Sequence, residues 1–67
     1  MTIEQKEAEE SGRRARRAAL ELDACPYTDE ADDERRDFAP DLARAWRHGW
    51  KCELYLQFLA AVGGKRA

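Results

Sequence analysis

Two clusters of cationic side chains are the residues best placed by type and spacing to do chemistry in this 67-residue chain. Arg13, Arg14, Arg16 and Arg17 flank Ala15, so four guanidinium groups stand within two helical turns and can fork onto phosphates or carboxylates. Arg44, Arg47 and Lys51 recur at intervals of three and four and form a second basic strip beside Trp46 and Trp50. Two such strips on adjacent helices would make a surface able to contact nucleic-acid phosphates. Opposing this, Glu4, Glu7, Glu9 and Glu10 precede the first cluster, and the acidic stretch downstream can fold back over it.

Catalytic vocabulary is sparse. The chain has one His, one Ser and no glycine-rich phosphate loop, and an enzyme is not expected. Tyr27 and Cys25 are nucleophiles by type, but neither has a base at readable spacing. The acidic pair Asp32-Asp33 reads as part of a solvated run. His48 and Cys52, four apart, could join Cys25 around a soft metal. Three single ligands fall short of a structural zinc set, so no metal and no cofactor are expected, and both thiols are expected reduced.

The elements that must position these groups follow from composition and periodicity. Charged residues make up 39% and hydrophobic ones 43%, with four Gly and two Pro, the balance of a folded helical chain. The net charge of −2 conceals three unlike segments. Residues 1–22 balance, residues 23–41 set eight acidic groups against Arg35 and Arg36, and residues 42–67 set five basic groups against Glu53. The opening residues, Met1 to Glu7, show no apolar run behind a basic head, and no stretch approaches a membrane span. A cytoplasmic protein without membrane contact is expected.

Ala, Glu and Arg dominate the first segment, with Glu9–Arg13 and Glu10–Arg14 as carboxylate-first pairs, which predicts a helix over about 3–23 capped by Thr2. Its inward stripe is Ala8, Gly12, Ala15, Ala19 and Leu22, nearly all small. Gly12, costly inside a helix, predicts close approach of a bulky ring. Cys25-Pro26-Tyr27 is a bend, opening an acidic linker to about residue 39 that holds at most a loose turn. A second helix is predicted over about 40–62, starting at Pro40 or Asp41, with a short basic tail at 63–67.

That helix holds the bulk. Leu42, Trp46, Gly49 and Trp50 share a face that Leu54 and Phe58 continue. The expected fold is all-α, one domain, a two-helix antiparallel hairpin with a long acidic linker, the rings of Trp46 and Trp50 against Gly12, Ala15 and Ala19, and Gly49 letting the backbones close. Past Trp50, Cys52, Tyr55, Leu56, Leu59, Ala60 and Val62 spread around the circumference, and a helix apolar on all sides must be covered on all sides. A chain this short has little core to do so.

The small residues Gly12, Ala15 and Ala19, then Cys25-Pro26-Tyr27, then Arg44-Ala45-Trp46-Arg47-His48-Gly49-Trp50 resemble the ribosome modulation factor family over about residues 12–52. Members of that family are similar in having a glycine/alanine helix, a Cys-Pro-Tyr bend and a helix bearing Trp-x-x-Gly-Trp. The resemblance implies a two-helix fold and binding to the small ribosomal subunit near the messenger exit region, promoting inactive ribosome dimers under starvation. A related branch with the same core is described as conferring fluoroquinolone resistance by ATP-dependent modification. No nucleotide-binding feature appears here, and that activity is not carried over.

Two departures shape the expected function. The ribosome-binding members of the family are strongly basic, whereas this chain has a pI near 5.3 and a longer, acidic linker that repels rRNA. The run Leu54-Tyr55-Leu56-Gln57-Phe58-Leu59 extends past the motif and suggests a protein interface. The first expectation is a regulator of translation under stress that binds rRNA or a ribosomal protein through Arg13, Arg14, Arg16, Arg17, Arg44, Arg47 and Lys51. The alternative is a homo-oligomeric or protein-binding adaptor or inhibitor with Trp50, Leu54, Tyr55, Phe58 and Leu59 as its contact. No small-molecule substrate is expected in either case.

Overall fold

The computed structural model describes residues 2–31, 34 and 36–63. The basic tail and the Asp32-Asp33 pair therefore lie outside the described residues, apart from Gly63. Helix α1 spans Ile3–Arg17 and helix α2 spans Pro40–Gly63. Between them come one 3₁₀ turn at Leu22–Ala24 and two two-residue strands, β1 at Tyr27–Thr28 and β2 at Asp37–Phe38. The strands pair in parallel, Tyr27 opposite Asp37 and Thr28 opposite Phe38, so the linker holds more order than the loose turn expected of it.

Thr2 caps α1 through a reciprocal box: its hydroxyl accepts from the Gln5 amide at 3.1 Å, and the Gln5 side chain accepts from the Thr2 amide at 3.0 Å. The helix stops at Arg17, earlier than the predicted residue 23. Ala19 adopts a left-handed backbone with φ 59°. The Ala19 amide then donates to the Arg16 carbonyl and the Leu20 amide to the Ala15 carbonyl, a Schellman closure built without glycine. Ala19 consequently lies outside the helix and is exposed, which removes it from the inward stripe. Leu22 falls in the 3₁₀ turn instead.

The helices pack side by side in the same direction. Gln5 sits with Asp41 and Ala45, Gly12 meets Trp46, Arg17 reaches Glu53 and Arg16 reaches Gln57. Partners thus advance together along both chains, which replaces the expected antiparallel arrangement. The physical reason is the linker. A helical hairpin closes with about two to eight residues, whereas a parallel pair needs a connection that retraces α1, about 22 Å for its 15 residues. The 18–39 connection does so, passing Leu22, Cys25 and Tyr27 beside the core formed by Ala8, Ala15, Ala43, Ala45 and Trp46.

Close approach rests on two glycines. A Cβ at Gly12 would overlap the Trp46 carbonyl oxygen, and a Cβ at Gly49 would overlap the Glu9 carbonyl oxygen. The neighbour of Gly12 is therefore helix backbone, not the aromatic ring expected there. Trp46 is 2% exposed and lines a depression together with Ala15, Ala18, Leu20 and Ala24. Trp50 is half-buried, and its indole N–H donates to the Leu20 carbonyl at 2.9 Å, pinning the Schellman turn to α2.

Candidate interaction surface on the second helix

The cationic residues divide by what they already hold. Arg17 Nε donates to Glu53 Oε1 at 2.7 Å, and Glu53 is only 8% exposed, a buried acid that sequence spacing did not flag. Arg16 donates to Gln57 Oε1 at 3.0 Å and lays its guanidinium 5.3 Å from the centre of the Trp50 ring. Arg13 reaches Glu9 Oε1 at 3.5 Å, the pair expected from their spacing, and its buried Nε has no partner among the described residues. Arg47 makes two bonds to Asp29, at 3.2 and 3.4 Å. The hydrogen bond and charge of Arg47 hold the Asp29 carboxyl below its ordinary range, and Asp29 in turn raises the guanidinium.

Arg16, Arg17 and Arg47 are thus clamps of the fold. Arg14, Arg44 and Lys51 make no hydrogen bond or ion pair to a described residue and are exposed. They do not form one strip. Arg44 shares an open depression with Gln5, Asp41 and His48, and Lys51 shares the next with Arg13, His48, Cys52 and Tyr55. Arg14 lines different depressions, one with Ser11 and Trp46 and one with Glu10, Arg13 and Arg17. Among the described residues the acidic linker reaches α2 through Asp29, and no described acid of the linker pairs with the Arg13–Arg17 cluster.

Cys52 Sγ lies 3.4 Å from His48 Nε2, while Cys25 is 2% exposed in the core. Both cysteines are free thiols. Among the described residues no group of three His, Cys, Asp or Glu side chains comes together as a metal site, and no helix is long and apolar enough to cross a membrane.

The outer face of α2 carries a run of exposed apolar side chains. With about 100° per residue, Leu54, Tyr55, Phe58, Leu59 and Val62 occupy one side of the helix, opposite the side carrying Trp46, Gly49 and Glu53 toward α1. Tyr55 and Phe58 are 62% and 61% exposed, and Leu54, Leu59 and Val62 lie between 38% and 50%. Trp50, expected in this contact, is not part of it: it belongs to the interhelical core, roofed by Arg16. Toward the N-terminal end the same face continues as Arg44, Arg47, His48 and Lys51. It is basic in its first half and apolar in its second. The bonds of α1 to α2 end at Gln57, so the last turns project beyond their neighbour.

Comparison of the chain with protein-family models, with curated proteins and with solved structures gives no match.

Proposed function

We propose that this chain is a ribosome-modulation-factor-like regulatory protein that binds the ribosome, on rRNA or a ribosomal protein, and modulates translation under stress. One observation supports this reading above the others. The residues that carry the resemblance are scattered from 12 to 50 in sequence, yet Gly12, Ala15, Cys25, Trp46 and Gly49 are all buried in one interhelical unit, with Tyr27 and Trp50 packed against it. Apart from the exposed Ala19, the residues of the pattern come together in space, which supports the reading.

The docking groups in this reading are Arg14, Arg44 and Lys51, which make no hydrogen bond or ion pair to a described residue. Three phosphate contacts from these residues give a modest electrostatic share of affinity: the logarithm of the binding constant should fall with the logarithm of salt with a slope of about −3. Co-sedimentation with purified ribosomal subunits tests it. Protein that travels with the subunits at low salt and is released as salt rises supports the reading, and protein that stays at the top of a low-salt gradient defeats it.

A second reading, a homo-oligomeric or protein-binding adaptor or inhibitor that has lost ribosome binding, is favoured by a separate observation: the uncovered apolar face past Trp50. Removing that face by substitution should leave ribosome binding intact under the first reading and abolish all binding under the second.

A further inference from the structure

We propose that the apolar face of α2 is covered by a second copy of this chain, the two α2 helices crossing antiparallel with Phe58 at the two-fold axis. This rests on the second reading above and names its partner. From Leu54 to Gly63 no residue is charged, so the stripe offers no charge pattern for an unlike partner to complement. An uncharged apolar stripe is complementary to itself. Leu54, Phe58 and Val62 are spaced symmetrically about Phe58, as an isologous contact requires, and Tyr55 and Leu59 widen it to the two-row seam of packed helices.

The area is sufficient. Covering five large side chains that are 38–62% exposed removes on the order of 100 Å² each, so two copies bury roughly 1,000 Å², at the threshold of a biological interface and in the range of weak ones. A dimer of modest, concentration-dependent affinity follows. Charge fixes its direction. In a parallel pair the Arg44, Arg47, His48 and Lys51 rows would face one another across the seam. The antiparallel pair sends them to opposite ends, and places the two α1 helices, which pack on the inner side of α2, clear of the contact.

Light scattering across micromolar to millimolar concentration should show the mass rising from 7.7 kDa toward twice that value. Phe58→Asp should hold it at the monomer while circular dichroism and tryptophan emission stay unchanged, because Phe58 is 61% exposed and outside the core. Direction is read by cross-linking. With Phe58 on the axis, the two Cys52 residues lie about 18 Å apart along the seam, too far for a disulfide. Phe58→Cys in a Cys52→Ser background should form a linked dimer under mild oxidation, and unsubstituted Cys52 should not.

A monomer at millimolar concentration overturns the proposal, and so does efficient Cys52 linkage with no linkage at position 58. A photo-reactive group placed at Tyr55 separates this failure from failure of the adaptor reading. If the purified chain is monomeric and that group captures a different protein, the second copy is wrong and the adaptor reading survives. If it captures nothing, both fall.

Discussion

Replacing Gly49 by alanine tests whether the two helices meet backbone to backbone. The added methyl would overlap the Glu9 carbonyl oxygen and crowd its carbon, and neither atom can rotate away because both belong to a hydrogen-bonded helix. The helices must move apart by more than an ångström. Separation on that scale costs each contacting pair of atoms a quarter to a half of its dispersion energy, across an interface made by Ala8, Ala15, Ala43, Ala45 and Trp46. Overpacking of this kind costs about 1–3 kcal/mol, and the severity of the overlap places Gly49→Ala near the upper value. Alanine returns about 1 kcal/mol in helix propensity, leaving a net loss of about 2 kcal/mol. Urea unfolding followed by the emission of Trp46 and Trp50 reads this directly. With an m-value of about 1 kcal/mol/M for so small a chain, the midpoint should fall by about 2 M. Gly63→Ala is the control, since nothing lies within 4 Å of its added methyl, and it should be neutral or slightly stabilising. Combining Gly49→Ala with Gly12→Ala should cost less than the sum of the two, because the first displacement relieves the second. Equal or greater stability of Gly49→Ala, matching the control, would refute backbone contact.

Ala19→Gly should raise stability by about 0.5–1 kcal/mol in the same urea assay, since glycine relieves the left-handed strain at φ 59°. Arg17→Ala removes the partner of the buried Glu53 carboxylate and should cost about 1–3 kcal/mol, with Glu53→Gln recovering part of that loss in the double variant. Asp29 has its pKa lowered by Arg47, so its contribution is present above the unfolded carboxyl pKa, about 4, and is lost as pH falls through the folded value. Asp29→Asn should flatten the acid limb of a stability-against-pH profile below about pH 4 and leave neutral-pH salt dependence weaker than in the parent chain. A thiol reagent should label Cys52 in the native protein, whereas Cys25, at 2% exposure, should label only on unfolding; mass spectrometry after a timed pulse distinguishes the two sites.

Local chemistry determined much of what this chain becomes. Thr2 is a cap readable from sequence, Pro40 and Asp41 open α2 where a proline and an acid suit a helix start, and the small stripe opposite the Trp46–Gly49–Trp50 face announces the interhelical core. The surplus of apolar residues past Trp50 was legible for the same reason: helical periodicity assigns faces without knowledge of neighbours. Tertiary structure alone decided the rest. The direction of the helices depends on where the 18–39 connection leads, and a linker's path is set by long-range contacts such as Asp29–Arg47 and Trp50–Leu20. The length of the linker was the one local clue to it. The end of α1 at Arg17 depends on a left-handed alanine that no propensity favours, held because Trp50 and the Schellman bonds over-determine it. Likewise, four arginines in a row of five look equivalent in sequence. Only the fold separates Arg16 and Arg17, which hold α2 across separations of 41 and 36 residues, from Arg14, whose side chain bonds to no described residue, because an ion pair is a fact of distance and sequence carries only order.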